Sequence, residues 1–483
     1  MSGPSSIAGT TSSSKRALAL DALRGFAILA MLLSGQLPFG ANSLPKWMYH
    51  AQVPPPTHEW NGNLPGITWV DLVFPFFLFC MGAAFPLALS RRIEARVSPW
   101  RLGAGLLERG FLLGFFALFV QAIRPYTLSE HPTTTTWWVA LLGFLILFPV
   151  LTRLPEKWPA WVRAGVRGLG WLGVVLFFAV ARYPDGSGFK LGRSDIIIVV
   201  LANMAVFGSL AWILTRQHLA LRLGILGIIF AMRMSNMPQA TEGWVHDLWR
   251  FSPAPWIYQL YYLQYLCIVI PGSIAGDLLL QWACAEKDSP ARPWSPFRML
   301  SVGMLMVSFV ILLLVGLEAR WLLPTILLVF ALGGLGCCLL RRPTDATGRL
   351  YQKLFFWSVY WLVLGLFFEP YEGGIKKDRA TLSYYFVTSG LAGCALIAFS
   401  VVIDVFHRRR WLQLLIDNGQ NPMIAYAGIN NFIAPVLALT AVGRWLEQMV
   451  TAPWLGLVKG SIITLLMAGA TSWLTRKKIF WRT

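Results

Sequence analysis

The sequence predicts an all-α fold, a polytopic transmembrane bundle of about 12 helices, within a range of about 10 to 14, with both termini cytoplasmic. Three observations predict it. Of 483 residues, 56% are hydrophobic and only 13% are charged, with a mean hydropathy of +0.58. That is too little charge to cover a soluble surface of this size. Apolar runs of about 17 to 25 residues, enough to cross a hydrocarbon core of roughly 30 Å, recur along the chain. Lys and Arg cluster in short connections between those runs and alternate with loops poorer in them, as the positive-inside rule expects.

Residues 1–16 open with "MSGPSSIAGTTSSS", Ser/Thr/Gly-rich and expected to be a disordered cytoplasmic segment. Lys15-Arg16 precedes an apolar run with no small-residue cleavage site, so the first span, 22–40, reads as uncleaved. An extracytoplasmic loop, 41–67, leads to the span 68–90 and then to the basic connection "RRIEARVSPWR". Spans at 103–123 and 136–152 follow, joined by "RPYTLSEHPTTTT" outside. "RLPEKWPAWVRAGVR" returns inside ahead of 166–182, and further spans are expected at 195–215, 219–236 and 256–281. Runs at 299–317, 322–340, 353–369 and 384–406 come next, punctuated inside by "RRPTDATGRLYQK" and "HRRRW". The loop "YEGGIKKDRATLS" between the last two falls outside, against the charge trend. Spans at 420–442 and 455–475 complete a single domain over 17–475, and 476–483 is a basic cytoplasmic tail.

The net charge of +19 therefore records topology, and a nucleic-acid partner is rejected. Five of the six cysteines lie inside apolar runs, where Cys acts as a small hydrophobe. No Cys/His spacing suggests zinc, and no metal is expected.

Charged groups within spans are costly and mark candidate sites. Asp21 and Arg24, three apart, can meet on one helix face. Glu108 and Arg109 lie in the third span, adjacent and so facing different partners, and Asp277 lies in a later one. "DNGQNPMIAYAGINN" carries Asn421 and Tyr426 into an apolar run, either as helix glue or as ligand contacts. Asp71 opens the second span, with Thr68 placed as its N-cap. It is either a first-turn carboxylate suited to the helix dipole or a group that orients an imidazole. His50 and His58 flank the rigid "VPPP" ahead of Trp60 and Asp71, which sets them apart from the other histidines.

"ALDALRGFAILAMLL", "HEWNG…GITWVDLVFPFFLFCMGAAFPLALSRR", "GGIKKDRATLSYYFVTSGLA" and "GQNPMIAYAG" occur in that order. Together they resemble the heparan-alpha-glucosaminide N-acetyltransferase family, in particular its bacterial branch, described as a domain of unknown function. The resemblance runs from about Ala17 to about Thr440. It implies a multi-pass enzyme of the bacterial inner membrane that moves an acetyl group from cytosolic acetyl-CoA to an extracytoplasmic amino sugar or glycan. It also implies an essential histidine in the first extracytoplasmic loop, before a Trp-Asn-Gly and the DLVFP motif. His58 is the nearest match and Asp71 is the motif's acid. This chain has one residue between His58 and Trp60 where the family has two, and "NLPG" follows as an insertion, so His50 stays a second candidate.

Other family positions differ. Ser34-Gly35-Gln36 stands where the first span carries an Asn, and Ile429 or Asn430 stands where a His follows the Asn/Tyr motif. The expected roles are base or acyl carrier for His58 or His50, with Asp71 orienting it. Arg24, Arg109, Asn421 and Tyr426 are expected to contact the donor. Trp60, Asn61, Lys376 and Lys377 are expected to contact the acceptor. A homodimer is compatible with the family, with no interface specified by the sequence. The competing function is a glycan or lipid transporter or flippase that does no chemistry.

Overall fold

The computed structural model describes residues 17–40, 43–235, 243–285 and 294–482. Among these the regular structure is helical, with only two isolated β-bridges. The expected disordered segment 1–16 lies outside the described residues. Among the described residues, eleven helices are long and apolar enough to cross a membrane, or up to 12 when a bent pair counts as one span.

In chain order the helices of eight residues or more are α1 Leu18–Ser34, α2 Trp69–Glu94, α3 Pro99–Ala122, α4 Thr134–Leu151 and α5 Ala160–Val180. Then come α6 Ile196–Thr215, α7 Leu219–Met234, α8 Leu260–Cys284, α9 Pro296–Glu318 and α10 Leu322–Leu339. The last are α11 Ala346–Phe368, α12 Leu382–Val405, α13 Gln413–Gln420, α14 Pro422–Ala438, α15 Ala441–Gln448 and α16 Pro453–Arg476. The expected span 420–442 is broken: Asn421 leaves the helical region at φ −137°, and α14 meets α15 at 94°. Proline following Asn421 enforces the first break, because the residue before a proline is driven out of the helical basin.

The centre is built from α1, α2, α8, α11, α12 and α13, and α2 and α12 are the most enclosed, with 78% of each apolar window buried against 11% for α5. Small residues set these contacts. A Cβ on Gly25 of α1 would stand 1.8 Å from the Leu415 carbonyl oxygen, and one on Gly419 would stand 1.8 Å from that of Asp21. Helix α1 and α13 therefore touch backbone to backbone, the packing that small residues permit within a bilayer.

Most intramembrane charges have partners. Arg222 pairs with Asp277 at 2.5 Å, and Trp212 donates to the same carboxylate at 2.9 Å. Asp417 receives Arg476 at 3.1 Å and Ser472 at 2.6 Å. Such pairs answer the desolvation cost of each ion, so Asp277 serves helix packing.

The start of α1 and the end of α16 lie at one end of the bundle, the basic end, linked through α13 by Gln420–Asp21 and Arg476–Asp417 contacts. After α16 the chain turns sharply: Lys478 adopts φ +61°, and Ile479 N–H donates to Leu474 at 3.0 Å. This 6→1 bond is a Schellman-type helix end. Residues 479–482, expected as part of a basic tail, then run back against Leu151–Arg153.

Candidate functional site

At the opposite end, Asp71 sits in the first turn of α2 and is wholly buried. Thr68 N–H donates to Asp71 Oδ2 at 3.0 Å, so the acid first serves as the helix's capping partner. The same oxygen takes Ala51 N–H at 3.2 Å, and Oδ1 lies 2.6 Å from His50 Nδ1. The Thr68 hydroxyl has one proton, and its 2.6 Å bond to the Tyr49 carbonyl uses it. Two backbone N–H groups and the His50 ring thus converge on one carboxylate, which both caps α2 and holds the imidazole. Tyr384 of α12 donates to the Asp71 carbonyl at 2.8 Å and locks the two most buried helices together there.

Asp71 therefore fixes the His50 ring with Nδ1 as donor and leaves Nε2 as the ring's acceptor. The acid is 0% exposed and the imidazole 34%, an arrangement in which the orienting group is dry and the reacting group is reachable. Lys377 Nζ stands 3.1 Å from Nδ1 and 3.2 Å from Nε2. Equal distances place the ammonium over the ring face, beside the atom that would meet a substrate.

Two loops carry these groups. Gln52, fully buried, donates to Leu64 at 2.9 Å and to Gly66 at 3.3 Å, and accepts Lys377 N–H at 3.4 Å. Gly66 N–H donates to the Ile375 carbonyl at 2.8 Å. Gly374, at φ +97°, allows the second loop to lie on Pro65, 2.3 Å from where a Cβ would stand. Glu369, buried beneath, is paired with Arg320 and accepts Ile375 N–H at 3.3 Å. Gln52 is a structural hub that the motif reading missed; a lone glutamine in a loop carries no sequence signal.

Beside this centre opens a cleft of 1460 Å³ whose walls include Trp60, Asn61 and Lys376. Arg233, Trp249, Tyr261 and Glu372, not singled out from the sequence, share it. Arg233 is held by Gln264 at 2.9 Å and the Ala380 carbonyl at 2.6 Å. Glu372 accepts the Leu382 and Ser383 N–H groups at 2.8 and 2.9 Å, occupying the start of α12. Flat aromatic faces with fixed polar groups suit a sugar.

A family model described as Domain of unknown function (DUF5009) matches residues 16–279, more than half of the chain. The chain belongs to this family. It is also similar to heparan-alpha-glucosaminide N-acetyltransferase of Homo sapiens, 26% identical over 195 residues, and of Mus musculus, 25% identical over 199. Those alignments cover 35% and 36% of this chain and 27% and 28% of the relatives, so the match spans little more than a quarter of each relative's length. The motif resemblance and these relatives agree.

Within the DUF5009 match lie His50, Asp71, Trp60, Arg24 and Arg109; Lys377, Asn421 and Tyr426 lie beyond it. His58, in the same match, is not near Asp71 in the hydrogen-bond network. Its ring packs edgewise on Phe39 at 4.7 Å and Tyr49 at 4.6 Å, and both ring nitrogens are buried without hydrogen-bond partners among the described residues. His58 adopts φ +54°.

The four expected donor contacts separate into three places. Arg24 faces Asp21 at 3.7 Å and the Gly419 carbonyl at 3.3 Å, and it is one of two charges felt by Arg109. Asn421 holds the segment 479–482, through 2.8 Å to the Ile479 carbonyl and 3.2 Å from Trp481 N–H. Tyr426 instead donates to Asp195 at 2.6 Å, where Arg124 also binds at 2.5 Å. Tyr426 belongs to that polar cluster with Arg124, apart from Arg24 and Arg109.

Proposed function

We propose that this protein is a membrane-bound acetyltransferase that carries an acetyl group from acetyl-CoA at the basic, cytoplasmic end to an amino sugar or glycan at the opposite, extracytoplasmic end. The observation that carries the reading is the His50–Asp71 pair with Lys377 beside it, His50 and Lys377 lying on the two loops that bring Trp60, Asn61 and Lys376 to the cleft. The relatives are N-acetyltransferases by name, which supports the reaction class.

In this reading His50 Nε2 accepts the proton from the acceptor's amine or hydroxyl as that atom attacks the thioester carbonyl. Asp71 holds the imidazolium that results. Lys377 faces the oxygen that becomes negative in the tetrahedral intermediate. The carbon–sulfur bond then breaks, and His50 returns its proton to the departing thiolate, so charge and protons balance. Trp60, Asn61 and Lys376 position the sugar. Arg24 and Arg109 face the donor's phosphates, and from the level of Arg109 roughly 20 Å of helix rise remains to the far end of α3 for the pantetheine arm to cross.

The test is thermal stability of the purified protein in detergent with acetyl-CoA or acetate, followed by acetyl transfer to glucosamine-type acceptors in proteoliposomes. At about 100 times its dissociation constant the donor stabilises the fold by roughly 2.7 kcal/mol. No shift at millimolar acetyl-CoA, together with no acetylated product, would remove the transferase reading in favour of transport.

A further inference from the structure

Arg109 lies in the middle of α3 with its Nε buried and unpaired, and no hydrogen bond or ion pair holds its guanidinium among the described residues. The charges that act on it are two more guanidinium groups, Arg24 and Arg482. Arg109 is thus a partly buried cation with two further guanidinium groups near it, Arg24, which also faces Asp21 at 3.7 Å, and the exposed Arg482, and with no carboxylate opposite its own guanidinium among the described residues, a setting that favours an anion.

Arg482 reaches this cluster because the chain carrying it is fastened at four consecutive residues. Asn421 takes Ile479 O at 2.8 Å and Trp481 N–H at 3.2 Å; Arg153 N–H donates to Phe480 at 3.2 Å; Arg482 N–H donates to Leu151 at 2.9 Å. Trp481 is buried, 4% exposed, against Phe116, Phe144 and Phe148, with centroids at 6.2, 5.5 and 5.1 Å. Its indole N–H is itself buried and unpaired. A freely moving tail has none of this.

We infer that segment 479–482 is a built-in wall of a phosphate-binding site, in which Arg482 joins Arg24 and Arg109 on a phosphate-bearing ligand and Asn421 is the positioning residue that holds the wall in place. Guanidinium groups recognise phosphate oxygens by paired, charge-assisted hydrogen bonds. The ligand class is a phosphate ester or diphosphate. The inference deepens the acetyl-CoA reading above and rests on it for the identity of the ligand, while the anion site itself rests on the cluster.

The experiment measures binding by thermal shift for acetyl-CoA, acetyl-pantetheine, inorganic pyrophosphate and anionic-lipid micelles. The proteins are wild type, Arg482→Ala, Arg482→Lys, Asn421→Ala and the double variant combining Asn421→Ala with Arg482→Ala. Arg482→Ala is expected to weaken acetyl-CoA about ten- to hundredfold, the loss of one charge-assisted contact, and to leave acetyl-pantetheine unchanged. Arg482→Lys recovers part of the loss. Asn421→Ala weakens acetyl-CoA in the same direction, and in combination with Arg482→Ala adds little. If Arg482→Ala binds every phosphate-bearing probe as wild type does, the inference is overturned while the transferase reading stands. If pyrophosphate or lipid binds in an Arg482-dependent way and acetyl-CoA does no better, the anion site stands and the acetyl-CoA reading falls.

Discussion

Asp71→Asn isolates the orienting role of the acid, because the substitution keeps its size while changing one oxygen into a donor. Two orientations of the new amide compete. With its oxygen where Oδ2 stood, Ala51 N–H and Thr68 N–H at 3.2 and 3.0 Å keep their acceptor, and the amide nitrogen faces His50. With the oxygen turned to His50 instead, both backbone donors face an amide N–H₂, at about 1–3 kcal/mol for each unmet buried donor. The first orientation therefore wins. It obliges His50 Nδ1 to accept, which puts the proton on Nε2 and removes the lone pair that the proposed reaction needs. The expected result is a kcat lower by about 10²–10⁴-fold, the usual worth of a general base. The KM values for donor and acceptor should stay near wild type, because Asp71 is buried and touches neither. The assay is initial-rate acetyl transfer with each substrate varied in turn, with detergent thermal stability as the folding control. Turnover within about threefold of wild type in a folded Asp71→Asn protein would refute the orienting role.

Lys377→Met is expected to lower kcat by about 10²–10³-fold, the cost of losing one group that stabilises a developing oxyanion, read in the same transfer assay. Trp60→Ala and Lys376→Ala should raise the acceptor KM and leave the donor KM unchanged, since both residues line the cleft and neither lies near Arg109. Gly25→Ala should lower thermal stability by about 1–3 kcal/mol through overpacking, because its Cβ would enter the space of the Leu415 carbonyl. A Gly25→Ala protein as stable as wild type would show that α1 and α13 separate easily.

The bundle was legible because lipid leaves a chain few options: runs such as 68–90 and 384–406 read as helices from length and composition alone, and they became α2 and α12. Asn421 and Tyr426 were grouped by shared polarity within one motif. Asn421 sits at the break before Pro422 and Tyr426 lies one turn further on in α14, and they serve different neighbourhoods. The choice between His50 and His58 was not legible. It depends on a loop whose path is set by Gln52 and by the positive φ of His58, and both arise from contacts distant in sequence. The Thr68–Asp71 cap was readable from its spacing, and its second use, holding the His50 ring, was not.

The central claim is that His50, and not His58, moves the proton in acetyl transfer. The direct measurement is the rate of acetylated product formation by wild type, His50→Ala and His58→Ala in the same proteoliposomes, with acetyl-CoA binding measured in parallel. The account predicts that His50→Ala binds donor as wild type does and loses at least about 10²-fold in kcat, while His58→Ala, whose ring fills an aromatic pocket, keeps its turnover number once corrected for folded protein. A His50→Ala protein that turns over normally, or a folded His58→Ala protein that binds donor and does not turn over, would contradict it.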